Sequence, residues 1–132
     1  SGFGVGGIIT FTGILPASFN GVLESIALKF KGSVQNTEFD VVLFSASPAN
    51  GTYADHATPT YSAADSASII GVYPMTSNIS PLGTHTVYTL DGIGKQIVGA
   101  STSLFAVVIS KAATAANLAS TSDMQLRIGM IW

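Results

Sequence analysis

Residues Val22 to Lys31 read VLESIALKFK, and the order of side chains in this run decides the fold. Leu23, Ser25, Ala27, Lys29 and Lys31 form one alternating set, and Val22, Glu24, Ile26, Leu28 and Phe30 form the other. Successive side chains of a strand point to opposite faces of its sheet, so the set ending in two lysines is expected to meet solvent while Ile26, Leu28 and Phe30 point inward. The closing run, Asp123 to Trp132 (DMQLRIGMIW), repeats the pattern. There Met124, Leu126, Ile128, Met130 and Trp132 alternate with Gln125, Arg127, Gly129 and Ile131, which predicts a half-buried strand that closes the domain. Leu104 to Ile109 (LFAVVI) is continuously apolar, as expected of a strand covered on both faces.

Further runs rich in β-branched and aromatic residues lie between Gly, Pro, Asn and Ser punctuation: Gly7–Ile14, Glu38–Ala46, Ser68–Met75, His85–Leu90, Lys95–Gly99 and Ser103–Lys111. Together these predict an all-β fold, a single jelly-roll-like antiparallel β-sandwich of about eight strands formed by residues 1–132 as one domain. Helix signals are confined to Ala63–Ile70 and Ala112–Leu118, each long enough for a turn or two. The opening SGFGVGG has no preceding strand and no following GK[ST], so it does not read as a phosphate loop. Residues 1–7 are expected to be an extended arm whose Phe3 and Val5 insert into a neighbouring subunit.

Charged residues make up only 9% of the chain, against about 25% in soluble domains, while hydrophobic residues make up 47%. With a net charge of -2, little opposes self-association, and much of the surface is expected to be covered by other chains. The five cations, Lys29, Lys31, Lys95, Lys111 and Arg127, are spread along the chain and cannot neutralise a run of phosphates, so no nucleic-acid partner is expected. No apolar run reaches the length of a membrane span, and no membrane partner is expected. The absence of cysteine removes thiolate chemistry and Cys-based metal sites. No signal peptide is visible after Ser1.

Asp55 and His56, with Asp65 ten positions beyond Asp55, form the one titratable cluster in a loop that also holds Tyr53 and Tyr61. Their spacing fits no acid/base or metal motif, and turn capping by Asp and Ser is the favoured reading. Glu38 and Asp40 share a strand face without a cleft to flank and read as solvated. Asn50-Gly51 is turn chemistry. No GxSxG elbow accompanies the serines and two histidines. Catalytic, cofactor and metal residues are therefore assigned to none, and the chain is expected not to be an enzyme. The interface candidates are Phe3, Val5, Tyr53, Tyr61 and Trp132. Tyr73 and Tyr88 are expected to be half-buried in strands.

The segment Asp40 to Val72, DVVLFSASPANGTYADHATPTYSAADSASIIGV, is similar to a recurrent segment of small virion proteins of tailed bacteriophages. The matching positions are Leu43-Phe44, Pro48, Asp55, Asp65 and Gly71-Val72, and the closing DMQLRIGM looks like the final strand of the same family. Members carry a further amino-terminal segment, from which the start at Ser1 departs. The resemblance covers about half the chain. It implies a sandwich on the capsid surface of a virion, of decoration or cement type, with the major capsid protein as partner and a homo-oligomer, a trimer in preference. The alternative it leaves open is a tail or fibre module that binds host glycan through loop aromatics.

Overall fold

Strand β2 (Asn20–Lys31) is the axis of the structure. We describe a computed structural model over residues 3–31, 38–49, 51–54, 58–75, 79–82, 85–111 and 124–132. One edge of β2 is paired along most of its length by β9 (Met124–Ile131). The other edge is shared by β6 (His85–Leu90), which pairs with Ile26–Lys31, and β7 (Lys95–Val98), which pairs with Asn20–Leu23. β5 (Ile79–Leu82) lies outside β6. The second sheet has the order β1 (Phe3–Phe11), β8 (Leu104–Ser110), β3 (Phe39–Phe44), β4 (Ile69–Met75), and both sheets are antiparallel throughout. Because β6 and β7 occupy one lane, each sheet is four strands wide, and the expected all-β sandwich of about eight strands is what forms.

The core lies between the sheets. Leu23, Ile26, Leu28 and Phe30 of β2 face Phe39, Val41 and Leu43 of β3 and Leu104, Ala106 and Val108 of β8, all fully buried. Phe30 stacks on Phe39 with centroids 4.5 Å apart, and Tyr88 meets both rings edge-on. Burial of each such side chain contributes about 1.5–3 kcal/mol. Tyr88 is therefore a core residue rather than a half-buried one, while Tyr73 is half-buried as expected.

Three differences from the sequence reading have physical causes. Leu23 belongs by alternation with the lysine face, yet it is fully buried. A β-bulge between Leu23 and Ser25 inserts Glu24 without a partner in β9, and one extra residue reverses the faces on its amino-terminal side. Second, β5 has no alternating signal because it is four residues long and contains Pro81, which suits an edge. Third, residues 3–7 of the expected arm are strand. Phe3, Gly4 and Val5 stand opposite Ser110, Ile109 and Val108 in the β1–β8 ladder, and the ladder resumes at Ile8 after a break that Gly7 turns with φ of +73°.

The outer face of the β1-β8-β3-β4 sheet carries a second apolar layer. Val42, Phe44, Val107 and Ile109 project outward and are covered by the connection between β3 and β4, chiefly through Tyr53. This cover explains the uninterrupted apolar run of β8. It contains helix α1 (Ala63–Ala67), shorter than the sequence signal because Ile69 already pairs with Phe44 in β4. The Ser62 hydroxyl caps α1 by accepting from the Asp65 N–H at 3.1 Å. The second helix signal, Ala112–Leu118, lies outside the described residues. Among the described residues no helix is long and apolar enough to cross a membrane.

Candidate interaction surfaces

The connection that covers β3 brings together three of the residues singled out in the sequence. Tyr53 follows Thr52, which pairs with Thr60 in a short antiparallel bridge. Its ring packs against Phe44, and its hydroxyl donates to Oδ2 of Asp65 at 2.8 Å. Both residues are buried, with 4% and 2% of their surface exposed. Burial, the hydrogen bond to Asp65 and the Asp65 charge together push the Tyr53 phenol far above its ordinary range. Tyr53 thus ties the cover to the sheet and presents no surface to a partner, which corrects its assignment as an interface residue. Asp55 and His56 lie outside the described residues. Among the described residues no group of three or more His, Asp or Glu is placed to hold a metal ion.

Tyr61 lies edge-on to Tyr53 at 5.4 Å and is exposed. Together with Ser66, Ile69, Val72, Ile109 and Asp40 it borders an open depression of about 400 Å³ on the outer face of the sheet. Partial burial and the charge of Asp40 raise the Tyr61 phenol above its ordinary value. Asp40 is half-buried, with Lys111 Nζ 3.4 Å from its Oδ1, while Glu38 precedes β3 and is exposed. The solvated carboxylate face expected for this pair is therefore split between an ion pair and a free surface residue.

A second surface forms where β2 begins. On the outer face of the β2 sheet Val22 stands opposite Gln96 on one side and Ile131 on the other, and Val98 lies two residues along from Gln96. Val98, Ile131 and Trp132 are 69%, 56% and 72% exposed. Trp132 is held rather than free, since its indole N–H donates to the Ile14 carbonyl at 3.1 Å. A groove of about 270 Å³ runs between Trp132, Ile131 and the Pro16–Asn20 turn.

That turn closes with a hydrogen bond from the Phe19 N–H to the Pro16 carbonyl, and Phe19 sits at φ of +62°. A left-handed backbone costs a bulky L-residue about 1–2 kcal/mol, and glycine would remove that cost. The conformation places the exposed Phe19 ring at this end of the sheet while its carbonyl accepts from the Gly99 N–H at 2.7 Å. The other end of the same outer face is basic, with Lys29 and Arg127 exposed around Ala27 and Val87. The face thus divides into an apolar half and a cationic half.

Of the five interface candidates, the structure exposes Tyr61 and Trp132, buries Tyr53, and builds Phe3 and Val5 into the β1 ladder. Phe19, Val98 and Ile131 were missed. Alternation within KQIV places Val98 opposite in face to the buried Ile97, so that signal was available. The backbone of Phe19 leaves no mark in the sequence. No family model matches the chain, and no curated protein or solved structure shows significant similarity to it.

Proposed function

We propose that this chain is a structural virion protein that binds the capsid exterior and bridges neighbouring subunits of the major capsid protein. The observation that carries the reading is the apolar half-face of Phe19, Val98, Ile131 and Trp132, exposed on a chain with only 9% charged residues. Clustered exposed apolar side chains of this size are a feature of protein interaction sites, with aromatic anchors supplying most of the binding energy. On this reading the action is adhesion, and the chain performs no chemistry. The resemblance of Asp40–Val72 to phage virion proteins supports the capsid as partner.

The glycan-binding alternative relied on Tyr53 and Tyr61 as a loop platform. With Tyr53 buried, Tyr61 stands alone there, and the capsid reading is the better supported. The test is co-sedimentation of the purified chain with capsids depleted of it, followed by imaging at subunit resolution. Regular density between capsomers is expected. Density confined to the tail, or no binding, would overturn the proposal.

A further inference from the structure

Five strands are paired on one edge alone: β1, β4, β5, β7 and β9. An open edge presents unpaired backbone N–H and C=O groups, and monomeric proteins blunt such edges with proline, bulges, charge or short length. Four of the five are blunted. β1 is broken between Val5 and Ile8, β4 contains Pro74, β5 has four residues including Pro81, and β7 has four residues and begins at Lys95. β9 is eight residues long, contains no proline, and carries one charge, Arg127. Its bulge lies in the partner strand, so β9 itself runs without interruption. Among the described residues nothing pairs with its outer edge. Met124, Leu126, Ile128 and Met130 are accordingly only partly buried, although their β2 partners Phe30, Leu28, Ile26 and Leu23 are completely buried.

We propose that the outer edge of β9 pairs with β9 of a second copy of this chain, antiparallel about a two-fold axis at Ile128, joining two four-lane sheets into one. The occupant follows from the self-complementarity of the strand. A two-fold axis normal to the sheet keeps inner residues against inner residues, so a residue must lie on the axis. Centring on Arg127 would set two arginines directly opposite, a destabilising cross-strand pair. Centring on Ile128 places Arg127 opposite Gly129 and Gln125 opposite Ile131. It also gives an inner row in which Leu126 meets Met130 and Ile128 meets itself. That register pairs every position from Gln125 to Ile131, and its inner row is wholly apolar. The inference concerns contacts between copies and does not depend on the capsid reading.

The chain has no cysteine, so disulfide trapping is unambiguous. Gln125 and Ile131 are both exposed, and within one copy they are separated by about 20 Å of strand, too far for a bond. The double variant Gln125→Cys/Ile131→Cys is expected to give a covalent dimer under mild oxidation, while each single variant stays uncrosslinked. The unmodified chain is expected to sediment as a dimer at micromolar concentration and to protect β9 amides from exchange. A monomeric mass with freely exchanging β9 amides would overturn the proposal. Equal crosslinking by the single variants would overturn the register. Unchanged circular dichroism of the variants establishes that they are folded, and the mass of the unmodified chain tests the pairing without any substitution.

Discussion

The Tyr53 hydroxyl donates to Asp65 Oδ2 across 2.8 Å between two buried residues, and this bond ties the Tyr53 segment of the cover to helix α1. Tyr53→Phe keeps the ring against Phe44 and removes only the donor, leaving one site of a buried carboxylate unsatisfied. The expected cost is about 1–3 kcal/mol, read as a lower urea midpoint with an unchanged slope. Asp65→Asn in the Tyr53→Phe background should cost less than it does in the unmodified chain, because the two residues act as a pair. Full additivity in the double-mutant cycle would show that the bond contributes nothing.

The same bond fixes the response to alkali. The folded state raises the Tyr53 phenol above the ordinary value of 10.0, so the neutral form is favoured in the native chain. Its stabilising contribution is complete below pH 10.0 and declines as pH rises further, because the unfolded chain ionises first. Tyr61 and Tyr73 are shifted in the same direction, both chiefly by desolvation. The ultraviolet absorbance of tyrosinate should therefore lag behind that of a free tyrosine derivative and then rise cooperatively with unfolding. A titration that follows the free derivative would contradict the buried clasp.

How far alternation can be trusted is tested at Leu23. Read by period alone, Leu23 shares a face with Lys29 and Lys31, and Val22 shares one with Phe30. The bulge at Glu24 reverses both assignments, placing Leu23 in the core and Val22 on the outer face. Leu23→Ala should cost about 2–5 kcal/mol and Val22→Ala a small fraction of that, by urea denaturation. Equal losses would mean that the bulge does not persist in solution. The fold class was legible because eight runs rich in β-branched and aromatic residues lie between turn residues, two of them with clear alternation, and β6 was placed to the residue. The bulge and β5 were not legible, since each depends on pairing with a distant strand. The clasp was half legible: Asp65 and Tyr53 were both singled out, but their twelve-residue separation gave no sign that they bond.

Gly51 lies inside the clasp, where a Cβ would meet the Thr60 carbonyl oxygen, the Tyr53 hydroxyl at 2.7 Å and Asp65 Oδ2 at 2.9 Å. Its glycine is therefore required by close approach, beyond the turn chemistry that Asn50-Gly51 suggests. Gly51→Ala should destabilise by about 1–3 kcal/mol, as other overpacked sites do. The penalty should shrink when Tyr53→Phe removes one of the crowding atoms. A neutral Gly51→Ala would indicate that the cover adjusts freely.

Phe19 and Val98 allow stability to be separated from attachment. Asparagine tolerates the left-handed backbone better than phenylalanine, and that gain offsets most of the burial lost from a residue that is 37% exposed, so Phe19→Asn should cost no more than about 1 kcal/mol. Val98 is 69% exposed, and Val98→Ser should change stability by no more than about 0.5 kcal/mol. If the apolar half-face contacts the capsid, both variants should nonetheless bind depleted capsids more weakly, and the pair together should lose at least tenfold in affinity. Lys29→Ser, on the cationic half of the same face, should lose much less. A residue retained in a strained backbone, whose relief leaves the fold intact but weakens binding, is one kept for its contact with a partner. Full capsid binding by the Phe19→Asn/Val98→Ser variant would instead assign attachment to another surface, the first to examine being the depression beside Tyr61.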